Sequence, residues 1–273
     1  MNLVANALAQ SNDHILSFFT QMRTELAFYI GCLNLHERLA GISEPVCFPI
    51  PSGIGRERQS AEQLYDVCLA LNVGQPVIGN DLHADGKNLV VITGANKGGK
   101  SIFLRALGLA QLMMQAGMFV AAARFPVDVA HGVFTHFKRE EDATMKSGKL
   151  DEELGRMSEI VDHLGSGSMV LFNESFAATN EREGSEIARQ IVEAMTETGM
   201  KVYFVTHLFE FAHGLYERSL RSAMFLRAER REDGERTFKL KESAPLQTSF
   251  GQDLYNRIFE GTARNEVSGV NHD

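Results

Sequence analysis

The sequence predicts an α/β protein with a mostly parallel sheet, preceded by a helical segment. From Pro76 onward, short β-rich apolar runs alternate with helical stretches, which is typical of parallel strands covered by helices on both faces. The first third instead carries apolar residues at three- and four-residue spacing, the period of an amphipathic helix. We therefore divide the chain into a helical segment over residues 1–75 and an α/β domain over residues 76–273.

Composition argues against several classes of protein. The 273 residues suffice for one large domain or two small ones, with a core that needs no disulfides. The formal charge of −8, from 27 basic and 35 acidic side chains, argues against a protein that binds nucleic acid by bulk charge alone. The three cysteines lack CxxC spacing, which argues against a disulfide framework or a zinc ribbon and fits a reduced, cytoplasmic setting.

No segment of the sequence is expected to cross or reach a membrane. The most apolar window, Leu104–Ala123, contains Arg105, Gln111 and Gln115, whereas a span needs about 18 or more residues with few or no charges. The first basic residue is Arg23, so no positive region precedes an apolar run as in a signal peptide. We therefore expect no membrane partner.

The first third of the chain is interpreted as a helix followed by irregular chain. Ser11–Asp13 offers an N-cap, and the apolar stripe after it predicts a helix packed along one face. Glycines and prolines between Gly41 and Gly55 predict a break, and a shorter helix is expected over Ala61–Leu71. The stripe consists of Ile15, Leu16, Phe19, Met22, Leu26, Tyr29, Ile30 and Leu33.

The remaining chain predicts strands, helices and a hairpin. Asp233-Gly234 lies between the apolar runs Ala223–Leu226 and Thr237–Leu240, which indicates a hairpin turn. The last dozen residues are expected to fray. The predicted strands are Asn88–Thr93, Ser168–Phe172 and Lys201–Thr206, and the predicted helices are Lys100 to about Gln115, Gly184–Thr198 and a short one near Phe209–His213.

The strongest functional signal is a glycine-rich loop that fits the pattern G-x-x-x-x-G-K-[ST] of a phosphate-binding loop. Its glycines let the backbone curl so that N–H groups point at phosphate oxygens, and the next helix offers its N-terminus. Lys100 is expected to hold the β- and γ-phosphates, and Ser101 to ligate Mg²⁺. The alternative is a plain glycine turn. The candidate residues are Gly94, Ala95, Asn96, Lys97, Gly98, Gly99, Lys100 and Ser101.

Two further strand ends carry polar residues that would complete a nucleoside-triphosphatase site. Glu174 is well placed to orient or deprotonate the attacking water, and His207 can sense the γ-phosphate. Asn173 stands where such enzymes usually carry an aspartate for magnesium, and its neutral amide oxygen is a weaker ligand. The alternatives are that Asn173 and Glu174 only cap the next segment and that His207 is structural.

These motifs together resemble the ATPase domain of the MutS family of DNA mismatch-repair proteins. The resemblance rests on the loop with Asn96, on Asn173–Asn180, on Thr206–Glu210 and on Ser249–Gly251, and it covers roughly residues 76–260. It implies a P-loop NTPase of the ABC-ATPase type that binds ATP and Mg²⁺. It also implies a homodimer in which each ATP site is completed by a segment of the other subunit.

The resemblance also assigns roles to residues outside the loop. Ser147 would reach the partner's γ-phosphate, and Glu152 would be the acidic residue of the same segment. Apart from Ser147-Gly148, most of the charged stretch over residues 138–153 is predicted to be a solvated loop and helix face. Ile102, which follows the loop where the family often has threonine, joins the expected nucleotide-binding residues, and Asn173 departs from the family's aspartate.

The function implied by the resemblance is a Mg²⁺-dependent ATPase in DNA mismatch repair or related DNA transactions. ATP binding and hydrolysis would switch a dimer that carries DNA-clamp helices, with residues 1–75 as the end of those helices and a dimerisation segment near the C-terminus. About 75 residues before the ATPase domain leave no room for a mismatch-reading domain. DNA is therefore expected to bind through helices or domains outside this chain or at its N-terminal edge.

Two other functions are weighed against this one. Asn173 favours a nucleotide-gated dimerisation module with little turnover and no direct mismatch recognition. The nucleotide-binding subunit of a membrane transporter is disfavoured, because no LSGGQ-like run occurs in the sequence. In addition, Lys100 and Glu174 lie only 74 positions apart, which leaves little room for a transporter's helical subdomain.

Overall fold

The computed structural model describes residues 3–139, 148–231 and 235–247. Strands and helices alternate along most of this chain, as the sequence predicts. In chain order the elements are α1 (Leu3–Gly41), β1 (Ile50–Ser52), β2 (Ser60–Leu64), α2 (Val67–Val73), β3 (Asn80–His83), β4 (Leu89–Thr93), α3 (Lys100–Gln115), β5 (Pro126–Asp128), β6 (Val133–Phe137), α4 (Lys149–Val161), β7 (Met169–Asn173), α5 (Glu181–Glu197), β8 (Lys201–Val205), α6 (Phe209–Glu217), β9 (Ala223–Arg230) and β10 (Arg236–Glu242).

The central sheet has the strand order β10–β9–β4–β8–β7–β6 within the described residues. Strand β4 pairs in parallel with both β8 and β9, and β7 pairs in parallel with β8 and β6. Strand β10 runs antiparallel to β9 and forms the predicted hairpin with it. The prediction of a mostly parallel sheet in an α/β protein is therefore confirmed.

Side chains of the central strand point alternately into two hydrophobic clusters, one on each face of the sheet. Val90 of β4 packs in one cluster with Leu104 of α3. Val91 packs in the other with Phe172 of β7 and Phe211 of α6. All five residues of β4 are buried, which explains why its sequence is a continuous apolar run instead of an alternating one.

Most predicted elements of the sheet lie close to their expected positions. Helix α3 has the predicted bounds, β4 and β8 each differ from prediction by one residue at one end, and β7 is shifted by one residue at both ends. Strand β6 was not predicted, because the polar side chains of Thr135 and His136 interrupt its apolar run. Several expectations lie outside the described residues: the turn at Asp233-Gly234, Ser147, the motif Ser249–Gly251 and the fraying of the last dozen residues.

The helix predicted over Ala61–Leu71 is wrong in its first half. This region holds β2, which pairs antiparallel with β3, and helix α2 begins only at Val67. Asp66 explains the boundary, because its carboxylate accepts a hydrogen bond from the backbone N–H of Leu69 at 2.8 Å and so caps the helix. The tertiary pairing of β2 outweighs the helical spacing of its apolar residues.

Helix α1 differs from prediction in its start and in its packing. It runs through Ser11–Asp13 without interruption, because polar residues inside an exposed helix cost only a few tenths of a kcal/mol each. The stripe predicted to pack is exposed within the described structure, with Ile15 at 54% and Tyr29 at 63% exposure. Leu39, near the C-terminal end, is the residue of α1 that is buried in the core.

The parallel arrangement brings three loops to one edge of the sheet. Strands β4, β7 and β8 are neighbours, and their carboxyl ends lie side by side. In open parallel sheets this edge is where ligands bind. Among the described helices, none is both long and apolar enough to span a bilayer.

Candidate functional site

The glycine-rich loop between β4 and α3 lies against the backbone of β9. Gly94 has a φ of 113°, and a Cβ atom there would lie 2.9 Å from the backbone nitrogen of Ala228. A Cβ atom on Gly98 would lie 2.8 Å from the Cβ of Ala228. Glycine is therefore required at both positions by close approach, and at Gly94 also by backbone conformation. Asn96 and Lys97 are exposed at the tip of the loop.

Lys100 begins α3 and turns its side chain back under the loop. It is only 4% exposed, and its Nζ donates to the carbonyl oxygens of Gly94 at 2.8 Å and Ala95 at 2.9 Å. Burial lowers the pKa of Lys100 to about 8, although the nearby charge of Glu174 opposes the shift. The amine of Lys100 is therefore mostly protonated at neutral pH, and its burial leaves it little hydrated. Both properties suit a group that binds anions.

Ser101 and Asn173, the two predicted magnesium ligands, touch each other. The Ser101 hydroxyl donates to Asn173 Oδ1 at 2.7 Å, which joins the start of α3 to the end of β7. Both side chains present neutral oxygens, the type of atom that a hard cation binds. No group of three or more His, Cys, Asp or Glu side chains with a metal-binding arrangement occurs in the described part of the chain.

Glu174 and His207 form the third part of the site. His207 Nε2 lies 3.1 Å from Glu174 Oε1 and 3.4 Å from Lys100 Nζ. The hydrogen bond from His207 lowers the pKa of Glu174 below its ordinary value, against the opposing effect of burial. The carboxylate is therefore ionised at neutral pH, and the His207 ring lies between it and the Lys100 ammonium.

The turn after β7 holds Glu174 in an unusual backbone conformation. Glu174 has a φ of 56° and Phe176 a φ of 62°, both in the left-handed region that residues other than glycine rarely adopt. The backbone N–H of Glu174 donates to the carbonyl oxygen of Val205 on β8 at 2.9 Å. Such backbone strain clusters at functional sites.

A buried polar network behind this turn was missed by the sequence analysis. His136 Nδ1 lies 2.7 Å from the hydroxyl of Ser175, and its Nε2 lies 3.0 Å from the carbonyl oxygen of Glu153. Glu153 itself is 1% exposed, so the solvated helix face predicted for most of residues 138–153 does not include this residue. The available signal was helical spacing, because Glu153 lies four positions before the buried Met157.

A cavity of about 490 Å³ opens beside the loop. Phe238 of β10 is one of its lining residues, and its backbone φ is 58°. The side-chain amide of Asn80 holds β10 in place at this point. The Asn80 amide donates to the carbonyl oxygen of Phe238 at 3.1 Å and accepts from the N–H of Leu240 at 2.7 Å. No local pattern indicates this cavity, because its walls come from segments far apart along the chain. Other lining residues include Leu69, Ile78, Gly99, Ile102 and Phe103.

The structure brings most of the predicted site residues to one place. The loop from Gly94 to Ser101 and the residues Asn173, Glu174 and His207 meet at the carboxyl ends of neighbouring strands. Ile102 faces the cavity beside the loop. Ser147 lies outside the described residues. What these residues bind stays a prediction.

Fold and site together define an α/β protein in which a buried lysine on a glycine-rich loop faces an ionised carboxylate. Comparison with known families gives the class a name. The model of MutS domain V matches residues 90–257, more than half of the chain, and the model of the MutS2 N-terminal domain matches residues 1–42. The chain therefore belongs to the MutS family, a group of ATPases related to DNA mismatch repair.

Individual relatives support the same assignment. The chain is 35% identical over 152 residues to Endonuclease MutS2 of Streptococcus equi subsp. equi, covering 53% of this chain and 20% of that protein. It is 32% identical over 181 residues to Endonuclease MutS2 of Thermus thermophilus, covering 66% of this chain and 23% of that protein. The chain is 29% identical over 143 residues to MutS protein homolog 4 of Mus musculus, covering 52% of this chain and 15% of that protein. The match thus spans about a fifth of these relatives.

Proposed function

We propose that this chain is a Mg²⁺-dependent ATPase with a P-loop NTPase fold of the ABC type. The observation that carries the proposal is the convergence of three strand ends on one small region. Ser101 contacts Asn173 at 2.7 Å, and His207 lies within 3.4 Å of both Lys100 and Glu174. Groups suited to phosphate, metal and water are thus adjacent, as phosphoryl transfer to water requires.

The proposed mechanism gives each side chain one task. Lys100 and the N–H groups at the start of α3 hold the phosphate oxygens and their charge. The ionised Glu174 accepts a hydrogen bond from the attacking water and orients it toward the γ-phosphate. His207, which is hydrogen-bonded to Glu174 and adjacent to Lys100, responds to whether a γ-phosphate is present.

Mg²⁺ fits the residues present when it is shared with the nucleotide. Ser101 and Asn173 would hold it through their neutral oxygens, and in proteins this cation commonly takes its other ligands from phosphates and water. When bound, the cation neutralises charge on the β- and γ-phosphate oxygens. The neutral amide of Asn173 implies weaker metal binding than a carboxylate would give.

The cavity beside the loop is proposed to receive the base of the nucleotide. Its volume is about 490 Å³, within the range of small-ligand pockets, and it adjoins Gly99 at the end of the loop. Phe238 and Ile102 supply apolar walls on which a planar base can pack.

The ATPase proposal extends to the domains, the dimer and the cellular compartment of the protein. We propose that residues 76–273 form the ATPase domain with a dimerisation segment near the C-terminus, and that residues 1–75 form the end of DNA-clamp helices. Two copies would form a homodimer with Ser147 of each reaching the partner's γ-phosphate, and DNA would bind at the N-terminal edge or outside this chain. A cytoplasmic setting is favoured by the three unpaired cysteines, Cys32, Cys47 and Cys68.

The variant Lys100→Ala tests the binding site. Removing a buried ammonium that holds phosphate should weaken ATP binding by about 10- to 100-fold, because hydrogen bonds to charged groups contribute about 1.5–3 kcal/mol. Calorimetric titration with ATP and Mg²⁺ measures the change. The control Lys87→Ala removes the same charge just before β4, at the opposite edge of the sheet, and should bind as the natural protein does. Unchanged affinity in Lys100→Ala would refute the binding site.

A second candidate is a nucleotide-gated dimerisation module with little turnover. It is favoured by the neutral pair Ser101 and Asn173, which offers no carboxylate to the cation. Single-turnover hydrolysis by the natural protein and by Asn173→Asp separates the two functions. Brisk hydrolysis by the natural protein rules out the module, whereas turnover that appears only in Asn173→Asp supports it.

A further inference from the structure

Helix α4 contributes a buried carboxylate to the turn that carries Glu174. Glu153 is 1% exposed, and its Oε2 accepts a hydrogen bond from the backbone N–H of Phe176 at 2.9 Å. Its other oxygen has no hydrogen-bond partner among the described residues. Burying a carboxylate is costly, and burial raises the pKa of Glu153, whereas the hydrogen bond from Phe176 offsets part of that shift.

His136 connects the same turn to the backbone of α4. Burial lowers the pKa of His136, so the ring is neutral, and Nε2 carries its proton because the partner, the carbonyl oxygen of Glu153, can only accept. The Ser175 hydroxyl lies 2.7 Å from both Nδ1 and the backbone carbonyl oxygen of His136, and its single proton serves these two acceptors. The His136 ring also stacks on Phe176, with ring centroids 5.2 Å apart. Glu153 and His136 thus hold the two residues that directly follow Glu174.

The turn needs such support because of its backbone conformation. Glu174 and Phe176 both have φ values in the left-handed region, at 56° and 62°. Residues other than glycine stay there only when surrounding contacts hold them. Without the contacts from α4 and β6, the backbone of this turn would relax toward ordinary conformations and the carboxylate of Glu174 would move.

We propose that Glu153 and His136 are positioning residues, which hold the strained turn over Glu174–Phe176 so that the Glu174 carboxylate is aimed at the attacking water. This inference rests on the proposed ATPase function. Both residues act through the backbone and the Ser175 hydroxyl, and neither contacts the nucleotide. Their removal therefore lowers turnover and leaves nucleotide binding in place.

The test compares Glu153→Leu with Glu153→Gln. Glutamine retains an oxygen that can accept from the N–H of Phe176, whereas leucine has similar bulk and no acceptor. We expect kcat to fall about tenfold or more in Glu153→Leu, because small displacements of a catalytic group are costly, and to stay within about threefold in Glu153→Gln. Affinity for a non-hydrolysable ATP analogue should change by less than about twofold in both. Glu159→Leu, which removes an exposed carboxylate from the same helix, should retain full turnover.

A second variant and a second readout separate positioning from folding. His136→Phe keeps an aromatic ring over Phe176 and removes both hydrogen bonds, and it should lower kcat similarly. Both residues act on one turn. The double variant with His136→Phe and Glu153→Leu should therefore lose less kcat than the product of the two single fold-losses. Hydrogen exchange of the segment 174–178, measured without nucleotide, should be faster in each of these variants and unchanged in Glu153→Gln.

The outcomes distinguish this inference from the function on which it rests. If the natural protein turns over ATP and both Glu153→Leu and His136→Phe do so equally well, the positioning role is wrong and the ATPase stands. Equal losses of kcat and analogue affinity would also overturn it, because they indicate general damage. If the natural protein neither binds nor hydrolyses ATP, the proposed function falls, and the inference falls with it.

Discussion

At the scale of single residues, the site depends on how burial and hydrogen bonding set charge. Lys100 is buried beneath the loop, yet carbonyl oxygens at 2.8 and 2.9 Å hold its ammonium. Glu174 is kept ionised by His207, which lowers its pKa. An ammonium with few water ligands binds phosphate strongly, and an ionised carboxylate can orient water.

The variant Glu174→Gln should separate binding from hydrolysis. Glutamine has nearly the same shape and cannot take the charge that orients or deprotonates water, so turnover should fall about 100-fold or more while ATP still binds. Single-turnover hydrolysis and calorimetry measure the two effects. Glu197→Gln, an exposed site near the end of α5, is the matched control and should turn over normally. Turnover within about threefold of the natural protein in Glu174→Gln would exclude Glu174 from this role.

At the scale of elements, the loop between β4 and α3 is shaped by its contact with β9. Gly94 and Gly98 both approach Ala228, so the loop is held against the strand that follows α6 in the sequence. The phosphate-binding pattern thus meets two requirements at once. Its glycines let the backbone curl between β4 and α3, and they also let the loop fit against the sheet.

The variant Gly94→Ala should measure that contact. An added Cβ would lie 2.9 Å from the backbone of Ala228 at a φ of 113°, so we expect a loss of about 3 kcal/mol in the free energy of unfolding. Gly117→Ala is the control, since its φ is 74° and a Cβ there would meet nothing within 4 Å. It should lose only about 1 kcal/mol from backbone strain. Urea denaturation measures both, and equal losses would show that the contact with Ala228 is unimportant.

At the scale of the whole molecule, the proposed dimer makes the mass in solution depend on nucleotide. If each site is completed by the other subunit, bound ATP adds contacts across the interface and shifts the equilibrium toward the dimer. Light scattering after size exclusion should show a larger dimer fraction with ATP and Mg²⁺ than with ADP or without nucleotide. Lys100→Ala should abolish the dependence, and a mass that is identical in all three conditions would contradict nucleotide-gated assembly.

Local patterns were sufficient to predict the parts of the fold that depend on local chemistry. Lys100 marks the start of α3, and the strands before Gly94, Glu174 and His207 lie within a residue of prediction. They could be predicted because buried parallel strands are continuous apolar runs and because glycine loops need specific residues. Edge strand β6 escaped prediction, since a strand less completely buried carries polar residues.

Other features depend on partners far apart in the sequence, and for these the local pattern was misleading. Ala61 lies in a strand despite helical spacing, because β2 has β3 to pair with. The apolar stripe of α1 predicts packing along the helix. In the described structure, however, other elements bury α1 only near its C-terminal end, at Leu39. Periodicity indicates which face of a helix is apolar, but it does not indicate whether the same chain covers that face.

Short runs of residues were enough to predict the strands β4, β7 and β8, the glycine-rich loop and the identity of the polar groups at the strand ends. Three contacts depend on tertiary packing: Ser101 touches Asn173, Phe238 lines a cavity beside the loop, and Glu153 accepts a hydrogen bond from the N–H of Phe176. The physical reason is that such contacts are short-ranged in space, whereas their partners are separated by 23 to 139 positions along the chain. The fold brings these partners together, and no local pattern records their proximity.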